Sequence, residues 1–215
     1  MVTFEFKPVV YLIHCFAFSA CQNIIKASAL MRLVVFGCAL LLSSYHAVAD
    51  VVSQQAYKVD RYVYCLVSEK SGSEKTYIGT GVQLKPGLVA TVAHQVNGMD
   101  RITAYRGEHA ISAGSVVVMD VANDLALIKI EPFPGGIGFK RLAEAEQSEG
   151  VFGIGCPYGL FHAITQGVVR NPLASVDGQR VIQVTMPIKI GDSGGPVFDL
   201  HGQWLGLVTG YLKRT

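Results

Sequence analysis

The chain has 215 residues, half of them hydrophobic and only 16% charged, with a formal net charge of +2. This length suffices for one globular unit or for two small units that share an interface. The net charge comes entirely from residues 1–49, so the remainder is neutral, and no basic run alternates with aromatic residues. The composition therefore gives no support to nucleic-acid binding.

Residues 1–49 have the pattern of a targeting segment. Arg32 is followed by an apolar run, Leu33–Leu42, and then by Ala47-Val48-Ala49. These are the charged region, the hydrophobic region and the A-x-A site of a secretory signal. We therefore predict Met31 as the true initiator, cleavage after Ala49, and a periplasmic or secreted protein.

Two other interpretations of this segment stay open. The earlier apolar run, Val9–Ala20, is too short to span a bilayer, and under the first interpretation residues 1–30 are an over-long gene start. The segment could instead be an uncleaved anchor, or carry a lipid at Cys21 within Phe18-Ser19-Ala20-Cys21. Membrane association is expected only in these two cases.

Two cysteines, Cys65 and Cys156, lie outside the targeting segment. In an exported protein they could form a disulfide, but their spacing does not show whether they approach each other. No CxxC occurs and the histidines are scattered, so neither a metal site nor a cofactor is predicted.

After Asp50 the chain consists of short apolar and β-branched runs separated by turn signals, which is typical of an antiparallel sandwich or barrel. A segment rich in proline and glycine, Glu131–Gly138, divides them into two halves, and no long helical pattern follows Asp50. We predict an all-β protein with a first half over 50–131, a linker over 132–140 and a second half over 141–215. The predicted strands are Tyr62–Val67, Thr76–Leu84, Leu88–Ala93, Arg101–Tyr105, Ser115–Met119, Leu125–Ile130, Gly150–Gly155, Ala163–Arg170, Arg180–Met186, Pro196–Leu200 and Gln203–Thr209.

The stretch Ile190–Pro196 places Ser193 in a loop, because three glycines in five residues disfavour a helix or a strand. Upstream, His94 ends an apolar run and Asp124 precedes an alternating strand. Taken singly, each has a plain structural explanation as a turn or capping residue. Together they supply a hydroxyl, a base and a carboxylate that could orient the base.

The order His94, Asp124, Ser193 is that of the chymotrypsin-type triad. The chain resembles the trypsin-like serine peptidases in Thr91-Val92-Ala93-His94, Asp124-Leu125-Ala126-Leu127-Ile128 and Gly191-Asp192-Ser193-Gly194-Gly195-Pro196. The short interval between His94 and Asp124 is most similar to that in the bacterial HtrA (Deg) branch. So are Gly153-Ile154-Gly155-Cys156-Pro157-Tyr158-Gly159-Leu160 and Thr165-Gln166-Gly167-Val168-Val169.

The resemblance implies two six-stranded β-barrels with the site in the cleft between them. It implies that Ser193 is the nucleophile, His94 the general base and then acid, and Asp124 the orienting carboxylate. The backbone N–H groups of Gly191 and Ser193 would form the oxyanion hole.

The sequence departs from the family pattern in two places. Asp192 stands where the HtrA branch usually has Asn, and the chain stops after Thr215, so the second barrel is expected to lack its last strand. No PDZ-like segment follows. Pro187 and Thr209 are the candidate substrate-pocket residues, and the apolar residues around Pro187 favour a small or medium apolar P1 side chain.

The sequence thus predicts an exported serine endopeptidase that acts on protein or peptide substrates, and it is compatible with an oligomer. A non-catalytic or weakly active protease-like binding module is the alternative, since a second barrel without its last strand has an open edge. An esterase or lipase is disfavoured, because its nucleophile elbow needs a helix after the serine. Here Pro196 and a further strand follow.

Overall fold

The structure is a computed structural model that describes residues 50–138, 144–176 and 178–210. They belong to one compact unit, Ala49–Thr215. The predicted targeting segment lies outside the described residues, as do residues 211–215.

A helix, α1, covers residues 50–60, and the prediction that no long helix follows Asp50 is therefore wrong. Val52, Ala56 and Val59 recur at the spacing of one helical face. Val52 and Ala56 are fully buried, and Val59 packs against the same core. Burial of this narrow stripe explains the helix. No helix among the described residues is long and apolar enough to cross a bilayer.

The first half forms a closed six-stranded antiparallel barrel in the order β1-β2-β3-β6-β5-β4. Its core holds side chains from alternate strand positions, such as Tyr64 and Leu66 on β1 and Ile102 and Ala104 on β4. A short helix, α2, connects β3 to β4. The elements are β1 Val63–Glu69, β2 Thr76–Lys85, β3 Leu88–Thr91, α2 Ala93–Val96, β4 Arg101–Arg106, β5 His109–Asp120 and β6 Leu125–Lys129.

The second half forms a five-stranded antiparallel sheet in the order β11-β10-β7-β8-β9. Among the described residues the sheet is not closed, and β9 and β11 are its edges. The predicted all-β fold with an incomplete second barrel is therefore confirmed. The strands are β7 Gly150–Gly155, β8 Ala163–Val176, β9 Gln179–Val184, β10 Pro196–Asp199 and β11 Trp204–Leu207, and a 3₁₀ turn, Pro157–Gly159, follows β7.

The barrel and the sheet share a hydrophobic core. Val82 and Ala90 of the barrel cluster with Phe152 and Phe198 of the sheet, whose rings stack with centroids 5.4 Å apart. A disulfide between Cys65 on β1 and Cys156 after β7 joins the same two parts, with the Cα atoms 5.7 Å apart. The sequence left this pairing open. These contacts bring the end of β7 next to the barrel, where the candidate site residues lie.

Candidate active site

His94 lies on helix α2, immediately after strand β3. The strand ends at Thr91, earlier than the predicted Ala93, so His94 lies in the helical turn and not at the strand end. The next two residues, Gln95 and Val96, are buried, and Nε2 of Gln95 donates to the backbone oxygen of Tyr77 at 3.0 Å. These contacts anchor the turn and leave the His94 side chain about half exposed.

Asp124 binds His94 through both carboxylate oxygens. Oδ1 accepts the backbone N–H of His94 at 2.9 Å, and Oδ2 lies 2.8 Å from Nδ1 of the ring. A carboxylate can only accept hydrogen bonds, so the proton of the neutral ring sits on Nδ1 and Nε2 is left as an acceptor. Asp124 has a left-handed backbone, φ 53°, in the turn between β5 and β6. The arrangement fixes both the ring orientation and its tautomer.

The loop around Ser193 needs glycine at two positions. Gly191 has φ 102°, and a Cβ added there would collide with the backbone oxygen of Cys156. Gly194 has φ 85°, and a Cβ there would collide with the backbone oxygen of Thr80. Both the backbone conformation and the close approach exclude other residues. The glycines let the loop lie against the end of β7 and against β2.

Two amides of this loop point to no acceptor. The N–H groups of Asp192, Gly194 and Gly195 donate to backbone oxygens of Lys189, Val208 and Asp192 respectively. By contrast, those of Gly191 and Ser193 have no hydrogen-bond partner in the part of the chain that the structure describes. Two free amides with one residue between them can bind one anionic oxygen.

Thr80 on β2 holds the loop in place, a role that sequence reasoning missed. Its hydroxyl donates to the backbone oxygen of Gly191 at 2.7 Å and accepts from the backbone N–H of Cys156 at 3.0 Å. Its own N–H donates to the backbone oxygen of Ser193 at 2.7 Å. Thr80 is fully buried, so these bonds are shielded from water. The only sequence signal was the position of Thr80 between two glycines.

The segments that carry His94 and Ser193 are in direct contact. The Thr91 hydroxyl donates to the Thr80 backbone oxygen at 2.7 Å, and a Cβ on Gly194 would collide with that same hydroxyl. Ser193 itself is partly exposed. Between its hydroxyl and the His94 ring, the described residues show no hydrogen bond. Such bonds are often long in proteins without substrate and tighten when substrate binds.

Asp192 is the one carboxyl group of the loop, and it is only 3% exposed. Oδ2 accepts the backbone N–H of Lys189 at 2.7 Å, while Oδ1 is buried without a hydrogen-bond partner among the described residues. Burial raises the pKa of Asp192, opposed by the Lys189 hydrogen bond and charge. The sequence marked Asp192 only as a departure from the HtrA pattern.

A cavity of about 10 Å³, room for a single water molecule, lies beside Asp192. The predicted pocket residues, Pro187 and Thr209, are exposed and do not line it. Their role in a substrate pocket stays a prediction. The cavity is lined by Gly153, Ile154, Gly155, Thr165, Met186, Ile188, Asp192 and Val208.

No cluster of three or more His, Cys, Asp or Glu side chains able to hold a metal occurs among the described residues. The chemistry that the geometry offers is acid–base: an oriented imidazole with a free ring nitrogen, a partly exposed hydroxyl nearby in the fold, and two free amides. A barrel and a sheet that carry these groups where they meet define the class of chymotrypsin-fold hydrolases.

Comparisons with known proteins agree with this class. The family model for the trypsin-like peptidase domain matches residues 79–207. A probable periplasmic serine endoprotease of the DegP-like type from Chlamydia pneumoniae is 31% identical over 150 residues, which cover 66% of this chain. The mitochondrial serine protease HTRA2 of Bos taurus is 30% identical over 183 residues, which cover 78% of this chain.

The chain belongs to the trypsin-like peptidase family. Its fold is similar to the active form of the Rv3671c protease from M. tuberculosis, with a TM-score of 0.63, 26% identity and 74% coverage of each chain. Homologues of the HtrA and DegP type confirm the predicted branch. The matched region spans 30% of the length of the Chlamydia relative and 39% of the bovine one.

Proposed function

We propose that the chain is a serine endopeptidase, acting on protein or peptide substrates through a His94–Asp124–Ser193 triad. The observation that carries the proposal is the two-point contact between Asp124 and His94, which orients the half-exposed ring so that Nε2 is the acceptor nitrogen of its neutral form. Ser193 would attack the scissile carbonyl while Nε2 accepts its proton. The protonated His94 would then give that proton to the leaving amine as the peptide C–N bond breaks, which leaves an acyl-enzyme on Ser193. Water would hydrolyse this ester, with His94 first accepting a proton from the water and then returning it to the Ser193 oxygen.

The free amides of Gly191 and Ser193 would stabilise the oxyanion of each tetrahedral intermediate. One fixed donor of this kind lowers the barrier by roughly 3 kcal/mol. Asp124 would hold the ring in the reactive tautomer and stabilise the imidazolium, so Asp124→Asn is expected to lower turnover by about four orders of magnitude.

The test is hydrolysis of unfolded casein by the purified protein. Wild type should cleave casein, and Ser193→Ala should abolish cleavage with no change in the unfolding transition. Ser53→Ala, which removes an exposed serine from α1, is the matched control and should cleave at the wild-type rate. Equal cleavage by wild type and Ser193→Ala would refute the triad.

A non-catalytic, protease-like binding module is the second candidate. Among the described residues, no hydrogen bond joins Ser193 to His94 and β11 is an edge of the sheet, and both observations favour this candidate. A binding module would bind peptides, which fluorescence polarisation measures, and would produce no new carboxyl or amino termini from casein. If the wild type produces new amino termini from casein, the peptidase is favoured over the binding module.

We further propose that the protein is periplasmic or secreted, with residues 1–49 removed after Ala49. The DegP-like relative described as periplasmic supports this location. Amino-terminal sequencing of the protein from an expressing cell should begin at Asp50. A terminus at Met1 or Met31 would contradict the cleavage, and a lipid-modified terminus at Cys21 would favour the anchored form.

A further inference from the structure

Three large apolar side chains are exposed beside the Ser193 loop. Tyr158, Leu160 and Ile190 are 61%, 62% and 69% exposed. We name these three residues the apolar shelf. Single exposed apolar residues are common on protein surfaces, but these three lie on segments joined by a backbone hydrogen bond at the Ser193 loop, which indicates a binding surface.

The backbone places the shelf next to the candidate oxyanion hole. The N–H of Tyr158 donates to the backbone oxygen of Ile190 at 2.7 Å, and Gly191 follows Ile190 directly. Gly191 also packs against this turn, since a Cβ added to it would lie 3.0 Å from the backbone nitrogen of Tyr158. A polypeptide whose carbonyl oxygen reaches the Gly191 amide therefore passes within one or two residues of the shelf.

The conformation of Tyr158 is a second, independent observation. Its backbone is left-handed, with φ 55° and ψ 23°, a region that aromatic residues rarely adopt. Such outliers concentrate at active sites and ligand clamps, where the surroundings hold them in place. Asparagine or glycine would fit the backbone at lower cost, so the presence of tyrosine points to a use for the ring.

The position of the shelf also indicates which part of a substrate it contacts. The Gly194 amide donates to the backbone oxygen of Val208, so the segment leading to Thr209, the predicted P1-pocket residue, adjoins the loop there. The shelf adjoins the same loop at Ile190, at its other end. A substrate with its P1 side chain near Thr209 would extend its leaving segment towards the shelf.

We propose that Tyr158, Leu160 and Ile190 bind an apolar side chain in the first two residues after the scissile bond. This inference rests on the proposed peptidase function and adds a preference on the leaving side. A side chain that packs on the shelf loses about half of its water contact, which corresponds to roughly a fivefold gain in kcat/KM over serine or glycine at that position.

The test compares cleavage-site profiles. Wild type, Tyr158→Asn and Tyr158→Phe digest a peptide library prepared from a proteome, and mass spectrometry identifies the residues on both sides of each cut. Asn accepts the left-handed backbone and removes the ring, whereas Phe keeps the ring. Tyr57→Asn is the matched control, because Tyr57 is also an exposed tyrosine, at 76%, on helix α1.

Wild type, Tyr158→Phe and Tyr57→Asn should each show about fivefold enrichment of apolar residues in the two positions after the cut. Tyr158→Asn should reduce this enrichment to below about twofold and leave the residues before the cut unchanged. If Tyr158→Asn is active and gives the wild-type cleavage profile, the inference about the shelf is overturned, while the proposed peptidase function is not. A change confined to residues before the cut would overturn the inference too, because the shelf would then contact the acyl side.

Labelling with a fluorophosphonate, which has no leaving polypeptide, separates the two proposals. Ser193 should react at similar rates, within about twofold, in the wild type and Tyr57→Asn, and labelling of the two Tyr158 variants shows whether their Ser193 is still reactive. A wild type that neither reacts nor cleaves would refute the peptidase and the shelf together. Normal reaction combined with an unchanged cleavage profile would refute the shelf only.

Discussion

Thr80→Val tests whether the barrel holds the Ser193 loop in position. Valine has nearly the shape of threonine, so the change removes the hydroxyl with little change in packing. The hydroxyl forms hydrogen bonds with two buried groups, the backbone oxygen of Gly191 and the backbone N–H of Cys156. The variant leaves both of them without a partner in a site that water does not reach.

The size of the effect follows from those two groups. Each buried polar group left unsatisfied costs about 1–3 kcal/mol, so Thr80→Val should lower the free energy of unfolding by about 2–6 kcal/mol. Thr80→Ser keeps the hydroxyl and loses one methyl group, at a cost of about 1 kcal/mol. Serine is therefore the matched control for the hydroxyl.

Urea unfolding followed by the fluorescence of Trp204, the one tryptophan of the chain, measures both variants. Thr80→Val should be less stable than Thr80→Ser by at least about 1 kcal/mol. It should also react more slowly with a fluorophosphonate at Ser193, because the Gly191 peptide loses its anchor. Equal stability and equal labelling rates for the two variants would refute the role assigned to Thr80.

Three further predictions concern the surroundings of the loop. Burial raises the pKa of Asp192, so ionisation of this carboxyl group costs more in the folded state than in the unfolded state. The wild type should therefore lose stability relative to Asp192→Asn as pH rises from about 4 through the raised pKa. If the urea midpoint of the wild type differs from that of Asp192→Asn by the same amount at pH 4 and pH 8, the prediction is contradicted. The disulfide closes a separation of 91 residues, so replacing both Cys65 and Cys156 by serine should lower the free energy of unfolding by about 4–5 kcal/mol, whereas an unchanged urea midpoint would argue against the pairing. Gly194→Ala forces a Cβ into a left-handed position against neighbouring backbone and should cost at least about 2 kcal/mol, and a thermal midpoint equal to the wild type would contradict the close approach.

Local pattern predicted most of the fold because barrel strands alternate between core and surface. Strand β7 was predicted with the observed bounds, Gly150–Gly155, since turn signals flank an apolar run there. Strand β5 extends from His109 to Asp120, well beyond the predicted Ser115–Met119. Most of the added residues at its start, 109–114, are polar or small, and they pair with β4.

Helix α1 was missed because its apolar stripe is narrow. Val52, Ala56 and Val59 are the only side chains that identify the buried face, and the intervening residues Ser53, Gln54 and Gln55 look like a polar loop. The stripe is stabilised by packing against residues of both the barrel and the sheet, which no local window of sequence contains.

In the site, the contacts that could not be predicted join residues far apart in the chain. Thr80 is 76 residues from Cys156 and 111 from Gly191, so nothing local marks its hydroxyl as a structural anchor. The pairing of Cys65 with Cys156 likewise depends on how the barrel meets the sheet. By contrast, His94 and Asp124 were predicted from residue type and order, and the structure adds their two hydrogen bonds.

The central claim is that Ser193 carries a hydroxyl activated by His94. Incubation with a fluorophosphonate, followed by mass spectrometry of the intact and digested protein, measures this directly. We expect one adduct on Ser193 of the wild type and a labelling rate at least about a hundredfold lower in His94→Ala. No adduct on the folded wild type, or equal labelling of the two proteins, would contradict the claim.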